Sequence, residues 1–291
     1  MKPELETDLP EEQRERLLVE RALLGERHAL EALLRQHQPY VYQIALRMTA
    51  DTSLAEDITQ ECLIKVVTHL ATFQGQSRLR TWMYRIVANH VLNTKRQPRE
   101  RVFSSFERHA ELLDSLTVES IATDSESLLA TEEVKLTCLT GMLLCLDRKY
   151  RLTFILGAIF NVSETMGSEV LGMSGAAYRK QLSRARKQLL GFMQGRCGLL
   201  DPANPCRCPH KTKAAIRAGY VDPQRLTFST DHLARARQLA EQTYRMTRPA
   251  SLARCQSLFA QLPSDHPADL GRQLEMLLQS DSLAKLLAYA E

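Results

Sequence analysis

Leu54, Ile58, Cys62, Val66 and Leu70 recur four residues apart. That spacing lays five apolar side chains along one face of an α-helix, which must bury the stripe to fold. Ser53 and Glu56 just ahead have the spacing of a capping box, so the helix is expected to start there. The same habit runs upstream. Leu17, Leu18, Leu23, Leu24, Leu30, Leu33 and Leu34 follow a helical period, and Pro39 is expected to open a second run with Val41, Ile44, Ala45 and Met48. β-Branched runs are scarce, aromatics are 6%, and Leu, Ala, Arg, Glu and Gln dominate. All are good helix formers, so the fold class is all-α.

At 291 residues the chain is long enough for two or three domains. Helical patterning from Arg14 to Arg101 predicts a first domain, 14–101. From Val102 to Ser127 acids, Ser and Thr accumulate and the period fades, which predicts a flexible linker, 102–127, with a short helix over Glu107–Leu116. A second helical domain is expected over 128–195, followed by a helical extension, 196–291. Pro263 to Pro267 marks a turn in that extension, and Leu226 to Glu291 reads as a small bundle. The longest apolar run, Phe154 to Phe160, is far short of the ~20 residues of a membrane span. No membrane association is expected. The acidic start, Met1-Lys2-Pro3-Glu4, has no apolar stretch behind it, so no secretory leader is expected. Seven cysteines, an odd number, suit a reducing, cytoplasmic setting. Cys62, Cys138, Cys145 and Cys255 sit among apolar helical neighbours and read as buried free thiols.

The net charge of +4 is unevenly placed. Arg78 to Arg101 holds seven Lys/Arg and one acid; Gly175 to Leu200 holds six Lys/Arg and no acid. Two compact basic patches on an otherwise acidic chain point to two contacts with a polyanion. Counting 100° per residue from Arg78 brings Arg85, Asn89 and Arg96 within about 20° of it. The expected helix, Arg78 to Lys95, thus carries a row of long donors, with Leu79, Trp82, Met83, Ile86, Val87 and His90 on its apolar arc. Trp82 and His90 read as packing residues. Further on, two short helices meet at a turn with Gly172, and the second, Gly175 to Leu190, is strongly basic. That is a helix-turn-helix pattern, with Ser174 the expected N-cap. Tyr178, Leu182, Ala185 and Leu189 would pack inward, leaving Arg179, Lys180, Ser183, Arg186 and Lys187 outward.

These motifs resemble those of bacterial RNA polymerase sigma factors of the extracytoplasmic-function class. Ala55 to Glu61 is similar to the family's core-binding motif. Phe73 to Ser77, followed by Thr81 to Asn89, resembles its promoter-melting segment. Leu171 to Ser174, with Arg184-Ala185-Arg186, resembles the end of its fourth domain. One departure stands out: Met166-Gly167-Ser168 replaces the family's Glu, aliphatic residue and Ala ahead of Leu171-Gly172. The resemblance implies two helical sigma domains and no catalytic site. Asp57, Gln60 and Glu61 would meet the β′ subunit of core polymerase. Gln74, Gln76 and Ser77 would read splayed bases of the −10 element, with Arg78, Arg85, Asn89 and Arg96 beside them on the strand. Ser174, Arg179, Lys180, Ser183, Arg186 and Lys187 would meet duplex promoter DNA at −35. An anti-sigma factor is a further partner that the class allows. The competing reading is a stand-alone helix-turn-helix regulator with a C-terminal sensor domain, which would have no use for a core-binding surface. An enzyme has little support, since Gly-rich phosphate loops, His-Glu-x-x-His and Gly-x-Ser-x-Gly are absent.

Minimal members of that class lack the C-terminal third. Within it, Gly195 to Pro209 holds three Pro, two Gly and three Cys. Cys197, Cys206, Cys208 and His210 offer three thiols and an imidazole. Three readings stand: a Zn or Cu site, a redox-active thiol set, or a purely structural loop. No cofactor is required by the sigma reading itself. The position behind the basic helix suggests that the region gates the DNA-binding halves.

Overall fold

The computed structural model describes residues 10–119, 125–224, 226, 252–260 and 262. Among these it contains twelve α-helices and no strand. In chain order they are α1 (Glu11–Leu23), α2 (Arg27–Thr49), α3 (Thr52–His69), α4 (Leu79–Asn93), α5 (Pro98–Val102), α6 (Phe106–Ser115), α7 (Ser125–Cys145), α8 (Arg148–Phe154), α9 (Glu164–Val170), α10 (Gly175–Met193), α11 (Cys208–Arg217) and α12 (Leu252–Ala260). A π-helical turn, Ile155–Ile159, continues α8. The expected turn over Pro263–Pro267 and most of the expected bundle lie outside the described residues.

The helices divide between two compact units. One holds α1, α2 as far as Ala45, α3 from Ser53, and α4; the other holds Leu46–Thr52 and Thr94–Ser264. In the first unit α3 buries Ala55, Ile58, Thr59, Cys62, Leu63, Val66 and Val67. Thr59 hides its hydroxyl by donating to Ala55 O at 2.6 Å. The helix starts at Thr52, so Ser53 lies inside its first turn and is not the expected cap. Nor does Pro39 break the chain: α2 runs through it. Buried Leu33 and Leu34 before it and Val41 and Tyr42 after it anchor both arms, which offsets the hydrogen bond that proline removes.

In the second unit the main core joins Leu136 and Leu143 of α7, Phe154 of α8 and Leu189 of α10 to Cys255 and Phe259 of α12. Phe259 is fully buried and meets Phe154 edge-on, centroids 5.4 Å apart. Burying one such ring contributes roughly 1.5–3 kcal/mol. The extension therefore completes the core of the 128–195 block instead of trailing from it.

The described part of the expected flexible linker is packed. Ser105 caps α6 by accepting from Arg108 N at 3.1 Å, and the helix buries His109 and Leu113. Lys211 Nζ donates to Leu113 O at 3.2 Å. Glu119 N donates to His210 O at 3.0 Å, so the segment after α6 is tied to α11. The reason is visible in α6 itself: its two inward side chains lie four apart, a short apolar stripe among acids.

Candidate functional site

The outer face of α3 is polar because its inner face is fully used. Asp57, Gln60 and Glu61 are all exposed, while Ala55, Ile58, Thr59 and Cys62 between and beside them are buried. The three candidate core-binding residues thus share one solvent-facing stripe. Glu61 also stands 3.6 Å from His90 Nε2 on α4, whose Nδ1 lies 2.8 Å from Lys65 Nζ. Partial burial first, then the Lys65 charge, push the His90 pKa down, against the opposing pull of Glu61.

Behind α3 a 3₁₀ turn, Leu70–Thr72, leads into the loop of candidate base-reading residues. Gly75 has φ +68°, a left-handed conformation that lets the loop double back. Gln76 Nε2 donates to Gln74 Oε1 at 2.9 Å, and both side chains are exposed. Phe73 packs on Trp82 with ring centroids 5.6 Å apart. Trp82 is half-buried, so one edge stays open beside the loop. The buried face of α4 comprises Leu79, Thr81, Met83, Tyr84, Val87, Ala88 and Val91. It is rotated from the arc expected from sequence, because Tyr84, Ala88 and Val91 are inside while Trp82 and Ile86 sit at the margin. The rotation leaves Arg78 and Asn89 outward and Arg85 partly covered. Arg96 does not continue the row: α4 ends at Asn93, and Arg96 falls in the connection to α5. Past Asn93 the Thr94 and Lys95 carbonyls accept from Arg148 before Pro98 takes the first position of α5.

Sequence reasoning missed the element that flanks this loop. Residues 73 and 75–79 and α1 line an open cleft of about 550 Å³, and α1 contributes Glu12, Glu15 and Glu20 to it. Arg78 Nη2 pairs with Glu12 Oε1 at 2.5 Å, both well exposed. An exposed pair of this kind contributes little stability and leaves the guanidinium available to a phosphate. Arg80, unassigned from sequence, sits over the Tyr40 ring at 4.0 Å and donates to Tyr84 Oη at 3.1 Å. It braces α4 against α2.

In the second unit, α9 and α10 form the expected helix-turn-helix. Ser163 and Ser174 both act as N-caps, accepting from Met166 N at 3.3 Å and Ala177 N at 3.2 Å. Gly172 turns the chain between them at φ +62°. Tyr178, Leu182, Ala185 and Leu189 face inward, as expected. Arg179, Lys180, Ser183 and Lys187 are exposed on the other side. Arg179 pairs with Glu164 of α9. Arg186 departs from the row. With the Gln256 amide oxygen turned toward it, its Nε and Nη2 donate to that oxygen at 2.8 and 2.9 Å. α12 lies on that side of α10, a contact that no local period in α10 reveals. Ser174 spends its hydroxyl on the cap.

At the end of α10 the three extension cysteines do not meet His210. The His210 Nδ1 lies 3.0 Å from Glu119 O. Cys197, Cys206 and Cys208 instead face Cys138 of α7 across a small cavity.

Residues 33–101 match the family model for sigma-70 region 2. Over 163 residues the chain is 27% identical to RNA polymerase sigma factor YlaC of Bacillus subtilis, covering 56% of this chain and 91% of that one. It is 24% identical over 160 residues to the ECF RNA polymerase sigma factor SigM of the same organism, covering 55% and 92%. Over 82 residues it is 33% identical to RNA polymerase sigma-H factor of Pseudomonas aeruginosa, covering 28% and 42%.

Proposed function

The chain belongs to the RNA polymerase sigma factors, in the extracytoplasmic-function class, and we propose that it carries core polymerase to a promoter by dividing that task among three surfaces. The factor is a transcription-initiation protein of a non-enzymatic family. The exposed stripe Asp57, Gln60 and Glu61 offers carboxylates and an amide to basic groups of the β′ subunit. The loop 73–77, with Trp82 beside it, offers amides and aromatic edges to bases that have left the stack. Extracting a base costs a few kcal/mol, so a surface that stacks and hydrogen-bonds it must offset that cost. The exposed row Arg179, Lys180, Ser183 and Lys187 suits a major groove and its phosphates. Arg186 is left out of that row, since Gln256 holds it.

The observation that carries this reading is the exposure of Asp57, Gln60 and Glu61 within the matched region 2, on a helix whose opposite face is wholly buried. The test is run-off transcription by core polymerase with and without the purified chain, together with co-elution on a sizing column. Promoter-dependent transcripts and a shared peak are expected. A chain that binds duplex operator alone, and neither co-elutes nor directs a transcript, is a stand-alone regulator.

Two mutational outcomes follow from the same surfaces. Asp57→Ala should lose competition for core polymerase against a second sigma factor while its circular dichroism and melting stay unchanged, because the side chain is exposed. Lys180→Ala and Lys187→Ala should each weaken binding to −35 duplex by about 1–3 kcal/mol where a base is contacted. Where only a phosphate is contacted, each should instead flatten the salt dependence by about one ion. Fluorescence anisotropy across a salt series separates the two.

A further inference from the structure

Four of the chain's seven cysteines line one buried cavity of about 20 Å³. Cys138 comes from α7, Cys197 and Cys206 from the loop after α10, and Cys208 from the first residue of α11. The walls are otherwise apolar except for Lys135 and Arg196. Nothing in the sigma reading uses these thiols. They lie 59 to 70 residues apart in the sequence when Cys138 is compared with the others, so no local motif accounts for their meeting.

The loop is built to hold them. Cys197 and Cys206 are paired through the backbone: Gly198 N donates to Cys206 O at 2.9 Å and Cys206 N to Arg196 O at 3.0 Å. Gly198 has no room for a side chain, since a Cβ there would lie 2.7 Å from Cys206 O. The buried Asn204 amide donates to Cys197 O at 2.9 Å and fixes the far side of the loop. His109 Nε2 stands 3.8 Å from Cys138 Sγ and orients that thiol from behind.

We propose that Cys138, Cys197, Cys206 and Cys208 form a four-thiolate site for one thiophilic d¹⁰ cation, with Zn²⁺ as the type. The four sulfur–hydrogen bonds are exchanged for four sulfur–metal bonds, and four protons leave to solvent. Four sulfurs and no oxygen donor is the ligand set that such cations prefer. Among the described residues no three His, Cys, Asp or Glu side chains stand at ligating spacing, so ligation requires the four thiols to move inward. Binding would draw the four sulfurs to ~2.3 Å from the ion. A divalent ion with four thiolates carries a charge of −2, and the cations of Lys135 and Arg196 stand in the cavity wall to offset it. In this structure Glu132 and Asp114 hold those two cations.

A disulfide is the competing fate of neighbouring thiols. All four stand as free thiols in this structure. A disulfide between two of them would also leave two unexplained. The site differs from the set expected from sequence in one ligand, with Cys138 in place of His210.

The test uses the full chain, purified under reductant and freed of metal by chelator, and then given Zn²⁺ or Co²⁺ alone. One Zn²⁺ per chain by native mass spectrometry is expected, and Co²⁺ should give the intense thiolate-to-cobalt charge-transfer absorption of a tetrathiolate. Cys138→Ser and Cys206→Ser should each lower Zn²⁺ affinity at least about tenfold, whereas His210→Ala should leave it unchanged. Thermal melting of each variant separates lost ligation from lost folding. Should Cys138→Ser fail to fold, Cys206→Ser, whose residue is half-exposed, decides the question. Substoichiometric binding, undiminished binding by Cys206→Ser, or equal loss in His210→Ala would overturn the proposal. So would a mass two hydrogens lighter, with a Cys197–Cys206 link and no metal uptake. None of these readouts depends on polymerase binding.

Discussion

Arg151→Ala is expected to lower the unfolding free energy by about 3–5 kcal/mol, a large share of what a domain of this size has to lose. Arg151 is 2% exposed. Its Nη1 donates to Glu100 Oε1 at 2.8 Å and also to Met48 O. Its Nε donates to Leu143 O at 3.0 Å, and Nη2 to Leu144 O at 2.9 Å and Leu146 O at 3.1 Å. One guanidinium therefore satisfies the carbonyl ends of α2 and α7 and one buried carboxylate. Removing it leaves Glu100 charged and buried with Arg148, whose Nε reaches Oε1 at 3.0 Å, as its one remaining cationic partner beside the Gln97 amide at 3.1 Å. Urea titration followed by circular dichroism measures the loss, and Arg148→Ala, at the more exposed edge of the cluster, should cost less. A drop under about 1 kcal/mol for Arg151→Ala would mean that water takes over these carbonyls.

The same cluster sets an acid response. Burial alone would raise the Glu100 pKa, but the Arg148 hydrogen bond, the Arg151 charge and the Gln97 amide together hold it below its ordinary 4.5. A depressed carboxyl stabilises the fold fully above its unfolded pKa. That stability is lost as pH falls through the ordinary carboxyl range toward the lower folded value, because the unfolded chain takes the proton first. Glu100→Gln should therefore be less stable than wild type near neutrality and show a flatter acid limb below about pH 4.5. Parallel acid limbs would remove Glu100 from the account.

How much of this was legible in the sequence depends on the range of the interaction involved. The stripe of α3 fixed which side of that helix is wet, and Asp57, Gln60 and Glu61 fall there because burial at Ile58 and Cys62 leaves them nowhere else. Ser174 capping α10 was equally readable, since a cap is a bond to an amide three residues away. Failures came where a distant segment decides the outcome. Arg186 has the spacing of a groove-facing residue, but α12, about 70 residues later, covers it. Cys138 looked like any apolar helix position, and its partners lie in a loop far along the chain. The rotation of α4 has the same origin: a 100° wheel ranks residues by polarity, while Arg80, which donates to Tyr84, is held over Tyr40 of α2. Periodicity tells which face is covered. It does not tell by what.

Tyr178→Ala is expected to cost about 3–5 kcal/mol and to abolish −35 binding, because that ring is what α9 and α10 are packed around. Tyr178 is 2% exposed, and the space it fills exists only because two glycines face it. A Cβ on Gly167 of α9 would lie 2.3 Å from the Tyr178 ring, and one on Gly157 would lie 2.6 Å from its hydroxyl oxygen. This explains the departure at Met166-Gly167-Ser168 from the sequence pattern of the class. With no side chain at Gly167, α9 closes directly on the Tyr178 ring of α10. Gly167→Ala alone should then overpack the site and cost about 1–3 kcal/mol. Pairing it with Tyr178→Leu should recover part of that loss, giving a coupling of about 0.5–3 kcal/mol in a double-mutant cycle. The ring's polar end provides an independent check. Its hydroxyl is buried without a hydrogen-bond partner among the described residues, and burial pushes its pKa up to about 12. Tyr178→Phe removes only that unsatisfied oxygen, so it should leave stability unchanged or raise it by about 1 kcal/mol, with −35 binding intact. Denaturant titration and duplex anisotropy on these variants decide the matter. Strictly additive losses for Gly167→Ala and Tyr178→Leu would show that the two helices are held by contacts other than this ring in its glycine slot.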